Sequence, residues 1–131
     1  MKKRKINPWA WQDRLGFVQA NEVTNPERIL YCSGQTSVDA DGRLMHPDDM
    51  KGQLNQALDN VVAVLNEAGM DLSNVTRLNV YTTDVDALME VHDDIVHRFD
   101  EAGGRHAGTL VGVTRLAFPG MLVELEATAV A

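Results

Sequence analysis

The side chains best suited to chemistry lie in the last third of the chain. His106 follows a Gly-Gly pair at the start of a predicted strand, where its imidazole could donate a proton or contact a ligand. Glu124 and Glu126 lie two residues apart in "VELEA", so a strand would present both carboxylates on one face. A carboxylate there could act as a general base on a water molecule. The structural alternatives stay open: a histidine packed at the surface and two exposed carboxylates.

The single cysteine, Cys32, excludes an internal disulfide. No accompanying histidine and aspartate or asparagine pattern indicates a nucleophilic triad. The chain has no CxxC motif and no Cys/His cluster, so we expect no metal site. Cys32 is predicted to be a buried, inert thiol.

The composition is that of a soluble globular domain, and we expect one domain over residues 1–131. Nineteen acidic and 12 basic residues give a net charge of −7, which argues against binding to nucleic acid or to an anionic membrane. We expect residues 1–13 to be irregular, with the basic residues 2–5 as a solvated end. No apolar run reaches the ~20 residues of a membrane span, and no signal peptide is evident, so a cytoplasmic location is expected.

The periodicity of the first half predicts two strands and a helix. Residues 14–23 and 28–34 are rich in β-branched and aromatic residues, and the "TNPE" between them favours a hairpin. A turn follows at 38–43, marked by Asp-Gly. A helix is then predicted from Pro47 to about Gly69, because leucines and valines recur at helical spacing between a start signal and a glycine stop.

The second half repeats this alternation of strand and helix. "NVTRLNVYTTD" (74–84) alternates as a strand does, and a second helix is predicted from about residue 84 to Gly103. Two more strands are expected near 107–116 and 121–130. Two β-α-β crossovers then predict an α+β fold of two layers, in which a mixed sheet carries two helices on one face.

The other face of that sheet is left uncovered. In the last strand, Leu122 and Val130 are predicted to lie beside the carboxylates of Glu124 and Glu126 on this open face. A second copy of the chain would cover the apolar side chains, so a homo-oligomer is expected.

Three separated motifs, "LYCSGQTSVDADGRL" (30–44), "QALDNVVAVLNEAGMDLSNVTRLNVYTTD" (56–84) and "VGVTRLAFPGMLVELEATAV" (111–130), resemble those of the Rid family of YjgF-type proteins. The resemblance implies a chorismate-mutase-like fold and a homotrimer with a small-ligand site in each cleft between subunits. It also implies hydrolysis of reactive imines and enamines to 2-keto acids and ammonia, with no cofactor.

The resemblance assigns roles to individual positions. In deaminating relatives an arginine in a "P-A-R-S" stretch binds the substrate carboxylate, and a glutamate on the last strand positions water. Aligned on "VGV.RL", that stretch falls on residues 106–109, so Gly108 replaces the arginine. Phe17 replaces a tyrosine of "GPY.Q" and Leu110 replaces a cysteine, whereas Glu124 matches the glutamate. The cleft is thus expected to persist without its cationic anchor.

The resemblance also predicts the walls of the cleft. Ser33, Gly34 and Gln35 border it in relatives, although Gly34 could serve strand packing alone. Arg105 could turn its guanidinium toward the cleft in place of the missing one, or remain solvated beside the Gly-Gly turn. The other expected wall residues are Phe17, His106, Gly108, Thr109 and Leu110.

Three further residues have open roles. His92 falls where several relatives carry an asparagine, so it is a second histidine of interest. Trp9 and Trp11 could fasten the N-terminal segment to the body of the protein, or help to wall the cleft for an apolar ligand.

Three functions remain from the sequence. The first is hydrolysis of an imine, enamine or related compound by water that Glu124 orients. The second is a non-enzymatic module that binds or senses a metabolite, which Gly108 favours. The third is a ribonuclease, which the charge of −7 disfavours.

Overall fold

The computed structural model describes residues 1–131 and has six strands and three helices. The strands are β1 (Lys2–Ile6), β2 (Ala20–Thr24), β3 (Ile29–Tyr31), β4 (Val75–Thr82), β5 (Leu110–Gly112) and β6 (Val123–Val130). The helices are α1 (Met50–Glu67), α2 (Val85–Val91) and α3 (Asp93–Ala102), and short 3-10 turns cover Asp13–Leu15 and Leu72–Asn74. None of the helices combines the length and apolar character needed to cross a membrane.

The predicted mixed sheet is present. Its strand order is β3-β6-β4-β5, with β4 and β5 parallel and the other neighbours antiparallel. The helices pack on one face, so the expected two-layer α+β, chorismate-mutase-like fold is confirmed. The strand expected near 107–116 is shorter than predicted: only Leu110–Gly112 forms a continuous strand.

Alternation along β4 and β6 builds the core. Leu78 and Val80 of β4 are buried, as are Leu125 and Ala127 of β6, whereas the residues between them are only half-buried. From α1, fully buried Leu54, Leu58, Val61 and Leu65 complete the layer contact. Burying each such leucine stabilises the fold by roughly 1.5–3 kcal/mol relative to leaving it exposed.

The ends of α1 follow the sequence signals. The side chain of Asp49 accepts a hydrogen bond from the Gly52 amide at 2.9 Å, which caps the first turn. Gly69 has φ +71°, the left-handed conformation that stops a helix after its last turn. The predicted helix is therefore confirmed.

The second predicted helix is interrupted. It divides at His92 into α2 and α3, so three helices form where two were expected. An apolar stripe continues across the break, since Leu88, Ile95 and Phe99 are all fully buried. The helical turn continues through weaker bonds, because the amides of Ile95 and Val96 both approach the His92 carbonyl, at 3.0 and 3.5 Å.

The N-terminal segment is more regular than expected. Residues 2–6 form β1, which pairs antiparallel with β2, so the prediction of an irregular stretch over 1–13 was wrong there. Backbone pairing tolerates charged side chains on an exposed edge. Arg4 pairs with Glu22, and Lys3 Nζ donates to the Ser73 carbonyl at 2.7 Å, which ties the basic end to the body.

The predicted hairpin between 14–23 and 28–34 was wrong. β2 pairs with β1, whereas β3 pairs with β6 in the main sheet. In that register Leu30 lies opposite Ala129 and packs against the core, which a local hairpin with β2 would not provide.

One sheet face carries no helix, as expected. Leu122 is half-buried beside the carboxylates, but Val130 is buried within the chain, where Ala131 bonds the backbone of Arg28. On the same face Ile29 and Tyr31 are exposed, Tyr31 by 77%. The open face therefore joins carboxylates to large exposed apolar side chains.

Candidate functional site

A cavity of about 230 Å³ lies between the break in the second helix and the β4-β5 edge of the sheet. One water takes ~30 Å³ of liquid volume, so the cavity has room for a small organic ligand. Seven of its 11 lining residues are hydrophobic, which suits a ligand with few polar contacts. The lining consists of Leu15, Phe17, Leu78, Val80, Met89, His92, Ile95, His106, Gly108, Thr109 and Leu110.

His106 contributes an almost wholly buried ring to this cavity. Its residue is 8% exposed, and the ring lies 4.5 Å from that of Phe99 between centroids. Strand-like pairing with Phe17 holds the backbone, and the Val18 amide donates to the His106 carbonyl at 2.9 Å. Burial lowers the pKa of His106 to about 4, so the ring is neutral at pH 7. Its Nδ1 atom is buried without a hydrogen-bond partner.

His92 lies at the helix break and lines the same cavity. Desolvation lowers its pKa, and the charge of Asp93 opposes that shift only in part. The cavity is thus lined by two imidazoles, both of which burial drives toward the neutral form. The spacing between His92 and His106 in the sequence gives no hint of this meeting, since the two come from different elements.

Gly108 lies where the chain backbone comes too close to β4 for any side chain. A Cβ atom added at this position would lie 1.8 Å from the Leu78 carbonyl oxygen. The approach is fixed on both sides, because the Leu78 amide donates to Ala107 at 2.8 Å and the Val80 amide donates to Thr109 at 2.9 Å. With this backbone, an arginine at position 108 would not simply restore the side chain that relatives use.

Arg105 is held away from the cavity. Its Nη1 donates to the Asp13 carbonyl at 3.0 Å and its Nη2 pairs with Asp100 Oδ1 at 2.8 Å. The side chain as a whole is about three-quarters buried, with 26% exposed. It thus fastens the turn after α3 to the N-terminal segment, and it is absent from the cavity lining.

Phe17 connects the cavity to the tryptophan segment. Its ring packs edge-on against Trp11, with centroids 5.8 Å apart, while Phe17 itself lines the cavity. Trp9 and Trp11 remain 61% and 60% exposed. The Trp9 carbonyl accepts a hydrogen bond from the buried Gln12 side chain at 3.0 Å. Trp11 therefore supports a cavity wall from outside.

Glu124 lies on the opposite, open face of the sheet. It pairs across strands with Tyr81, whereas the cavity is lined by the core-facing Leu78 and Val80. Gly34 makes room for the carboxylate, since a Cβ there would lie 2.7 Å from Glu124 Cδ. The glycine of "SGQ" thus serves the position of Glu124 as well as strand packing.

Ser33 and Gln35 flank this contact. Ser33 is exposed beside Gly34, and Gln35 is fixed by two backbone bonds with Leu125, of 2.7 and 2.9 Å. The Gln35 Nε2 donates to the Ser33 carbonyl at 3.2 Å. The turn therefore borders Glu124 and lies outside the cavity lining.

Sequence reasoning missed a polar network next to Glu124. Glu126 Oε1 accepts hydrogen bonds from Asn79 Nδ2 and from the Tyr81 hydroxyl, both at 3.0 Å. These bonds lower the pKa of Glu126, and the same contact raises the pKa of Tyr81. Asn79 Oδ1 in turn accepts from the Thr109 amide at 3.2 Å, which links the network to the cavity strand. The alternation of 74–84 placed Asn79 and Tyr81 on this face and was the available signal.

The predicted site residues thus form two groups on opposite faces of one sheet. Phe17, His106, Gly108, Thr109 and Leu110 meet in the cavity, whereas Ser33, Gly34, Gln35 and Glu124 meet on the open face. Arg105 belongs to neither group. Cys32 is buried in the core, and burial raises the pKa of its thiol, as expected for an inert cysteine.

Comparison with known proteins places this arrangement in a family. A family model described as endoribonuclease L-PSP matches residues 13–131. The crystal structure of YyfB, a Rid-family protein from Yersinia pestis, is 33% identical, covers 100% of both chains and superposes with a TM-score of 0.90. A RutC family protein from Aquifex aeolicus is 31% identical over 115 residues, which is 87% of each chain.

A bovine enzyme adds a named activity to these relatives. The 2-iminobutanoate/2-iminopropanoate deaminase of Bos taurus is 34% identical over 106 residues, 79% of this chain and 74% of that protein. The similarities in sequence and in fold agree along the matched length. The chain therefore belongs to the Rid family of YjgF-type proteins.

Proposed function

We propose that this protein is a cytoplasmic Rid-type hydrolase that processes a small imine or enamine in clefts between the subunits of a homotrimer. The observation that carries the proposal is the Glu124 carboxylate, which β6 presents beside Gly34 on the uncovered sheet face. The family of the chain, and the bovine relative that is named as a deaminase, support the reaction class.

The position of Glu124 favours a site that two chains share. Within one chain the sheet separates Glu124 from the cavity, so the two groups of residues cannot contact one ligand. The open face also exposes Ile29 and Tyr31, which a second copy would bury. A cyclic trimer would set the cavity of one chain against the Glu124 face of the next.

The chemistry needs only a base and a bound water. Glu124 would accept a proton while the water oxygen bonds to the imine carbon and the C=N electrons move to nitrogen. Returning that proton to the nitrogen would give a carbinolamine. Glu124 would then take the hydroxyl proton and pass it to the amino group, so that the C–N bond breaks, ammonia leaves and the C=O bond forms. Holding water and imine in contact supplies much of the acceleration.

The cavity disfavours a carboxylate-bearing substrate. Its lining has no lysine or arginine, position 108 has no space for a side chain, and Arg105 is bound to Asp100. An anion there would be desolvated without a partner charge. Imines that lack a carboxylate therefore fit better than the 2-imino acids named for the bovine relative.

The test compares two imine classes generated in situ. An amine oxidase supplies uncharged imines and an amino-acid oxidase supplies 2-imino acids, with semicarbazide as a competing trap. We expect wild-type protein to accelerate carbonyl release from uncharged imines. Glu124→Gln should lower that rate by about 100-fold or more, since a positioned general base contributes roughly 10²–10⁴-fold.

The matched control is Glu101→Gln, because Glu101 is exposed at the end of α3 and lies outside both groups of site residues. That variant should keep the wild-type rate. If wild-type protein accelerates carbonyl release from neither imine class, the hydrolase proposal is contradicted.

A non-enzymatic metabolite-binding module is the second candidate. The apolar cavity and the missing arginine favour it, because both concern binding and neither requires turnover. Tight ligand binding with no turnover on either imine class would support this candidate.

A ribonuclease is named by the description of the matching family model. The net charge of −7 disfavours it, since contacts to RNA phosphates need a basic surface. The basic side chains of β1 are exposed, yet two of them are engaged with Glu22 and Ser73. RNA affinity that falls steeply with salt would revive this candidate.

A further inference from the structure

The ring of His106 is the one place where the interior leaves a polar side-chain atom unsatisfied. Nδ1 of His106 is the only buried side-chain nitrogen or oxygen without a partner. Other buried polar side chains are bonded: Gln53, for example, donates to the carbonyls of His46 and Gly120 and accepts from the Leu122 amide. A buried polar atom without a partner destabilises the folded state, and a ligand that hydrogen-bonds to the atom would recover that free energy on binding.

This atom belongs to a ring that lines the apolar cavity. Only 8% of the His106 surface is exposed, and the cavity beside the ring has a volume of about 230 Å³. Leu15, Met89 and Ile95 supply apolar contacts, and Phe17 supplies an aromatic face. The walls thus favour a flat apolar body, and the ring offers one polar contact.

The cavity also selects by charge. No carboxylate, lysine or arginine lines it, and burial lowers the pKa of both His92 and His106, so neither compensates an anion at neutral pH. A charged ligand would therefore lose hydration without gaining a partner of opposite charge.

We propose that the cavity binds an uncharged, flat and largely apolar molecule whose single polar group hydrogen-bonds to the buried ring of His106. His106 is then the residue that selects the ligand, in place of the arginine at position 108 in relatives. The inference deepens the proposed function and rests on it for the view that this ligand is the substrate.

Benzamide and benzoate are suitable probes, because they share size and shape and differ in charge. Calorimetric titration at pH 7.5 should show benzamide binding to the wild-type protein at least tenfold more tightly than benzoate. His106→Phe should weaken benzamide binding about fivefold to tenfold, while His97→Phe, on an exposed position of α3, should leave it unchanged.

Toluene separates loss of the hydrogen bond from loss of the cavity. It has no polar group, so His106→Phe should bind it as wild type does if the fold is kept. In ¹⁵N-labelled wild-type protein, benzamide should also shift the His106 imidazole resonances, a readout that needs no variant.

Equal affinity for benzoate and benzamide would overturn the proposal, as would unchanged benzamide binding in His106→Phe with unshifted His106 resonances. Failure of wild type to bind either benzamide or toluene would overturn it too, because the cavity would then hold only water. None of these results touches the hydrolysis assay with Glu124→Gln, so failure of the inference and failure of the proposed function can be told apart.

Discussion

The two faces of the sheet differ in how they treat titratable groups. On the cavity face, His92 and His106 are buried among apolar side chains, and Nδ1 of His106 lacks a partner. On the open face, Glu126 accepts two hydrogen bonds from its neighbours on β4. Burial keeps the first pair neutral, and hydrogen bonding keeps the carboxylate charged. In the function proposed above, the first face would serve recognition and the second proton chemistry.

Under the proposed function, this difference would leave a single chain incomplete as a catalyst. His106, proposed for recognition, and Glu124, proposed for water activation, lie on opposite faces of the sheet. A strand cannot present one residue to both faces, since alternate side chains point in opposite directions. Pairing the faces of two chains, as proposed, would bring both residues to one site without changing the fold.

The largest effect on the cavity face is expected from Gly108→Ala. The added Cβ would lie 1.8 Å from the Leu78 carbonyl oxygen of β4, so the chain around position 108 must move away from β4. We expect the free energy of unfolding to fall by about 3 kcal/mol, at the upper end for overpacking. Denaturant titration measures this change.

Gly112→Ala is the matched control, because its added Cβ would lie 3.0 Å from a Val85 methyl and no nearer than 4.0 Å to a backbone atom, the Thr82 carbonyl oxygen. Its loss of stability should be much smaller, since a side chain can move aside. Equal stability of Gly108→Ala and wild type would show that the close approach to β4 is not rigid.

A smaller loss of stability is expected when the pH is lowered, and it falls in a different pH range for each face of the sheet. His106 has its pKa lowered from 6.5 to about 4, so the unfolded chain takes up a proton that the folded chain refuses. Stability is then full above pH 6.5 and is lost as the pH falls toward 4. Between pH 7 and pH 5 this loss is about 2 kcal/mol. His106→Phe should remove it, as denaturant titrations at both pH values would show.

The open face responds in a lower pH window. The pKa of Glu126 lies below its ordinary 4.5, so its contribution is present above that value and is lost as the pH falls through the lowered pKa. His106→Phe should therefore keep the decline below pH 4.5 and lose the His106 share of the decline between pH 7 and 5, while the lowered pKa of His92 leaves its own share in that window. If the variant and wild type lose equal stability between pH 7 and 5, His106 is not a buried neutral group in the folded protein.

The sequence predicted the features that repeat within one element. Alternation in 74–84 correctly separated buried Leu78 and Val80 from Asn79 and Tyr81, and the start signal at Pro47 came within three residues of the first residue of α1. These succeed because side-chain direction and capping depend on neighbours along the chain.

The features it did not predict depend on contacts between distant segments. The pairing of β1 with β2 rests on backbone bonds that basic side chains do not reveal. The clash at Gly108 rests on an approach to Leu78, 30 residues earlier by number, and the burial of His106 rests on Phe99 and Phe17. No local pattern at 106–108 encodes those neighbours.

The most direct test of the shared site mixes two inactive variants. Glu124→Gln removes the base from the open face, and Leu110→Trp fills the cavity of the same fold. The two are co-expressed with different affinity tags, and mixed oligomers are assayed on the uncharged imines. If each site joins the cavity of one chain to Glu124 of the next, about one site in three of every mixed trimer holds both intact halves, and about that share of the wild-type activity returns. Mixed oligomers as inactive as either parent would contradict the account, since both halves of the site would then have to come from the same chain.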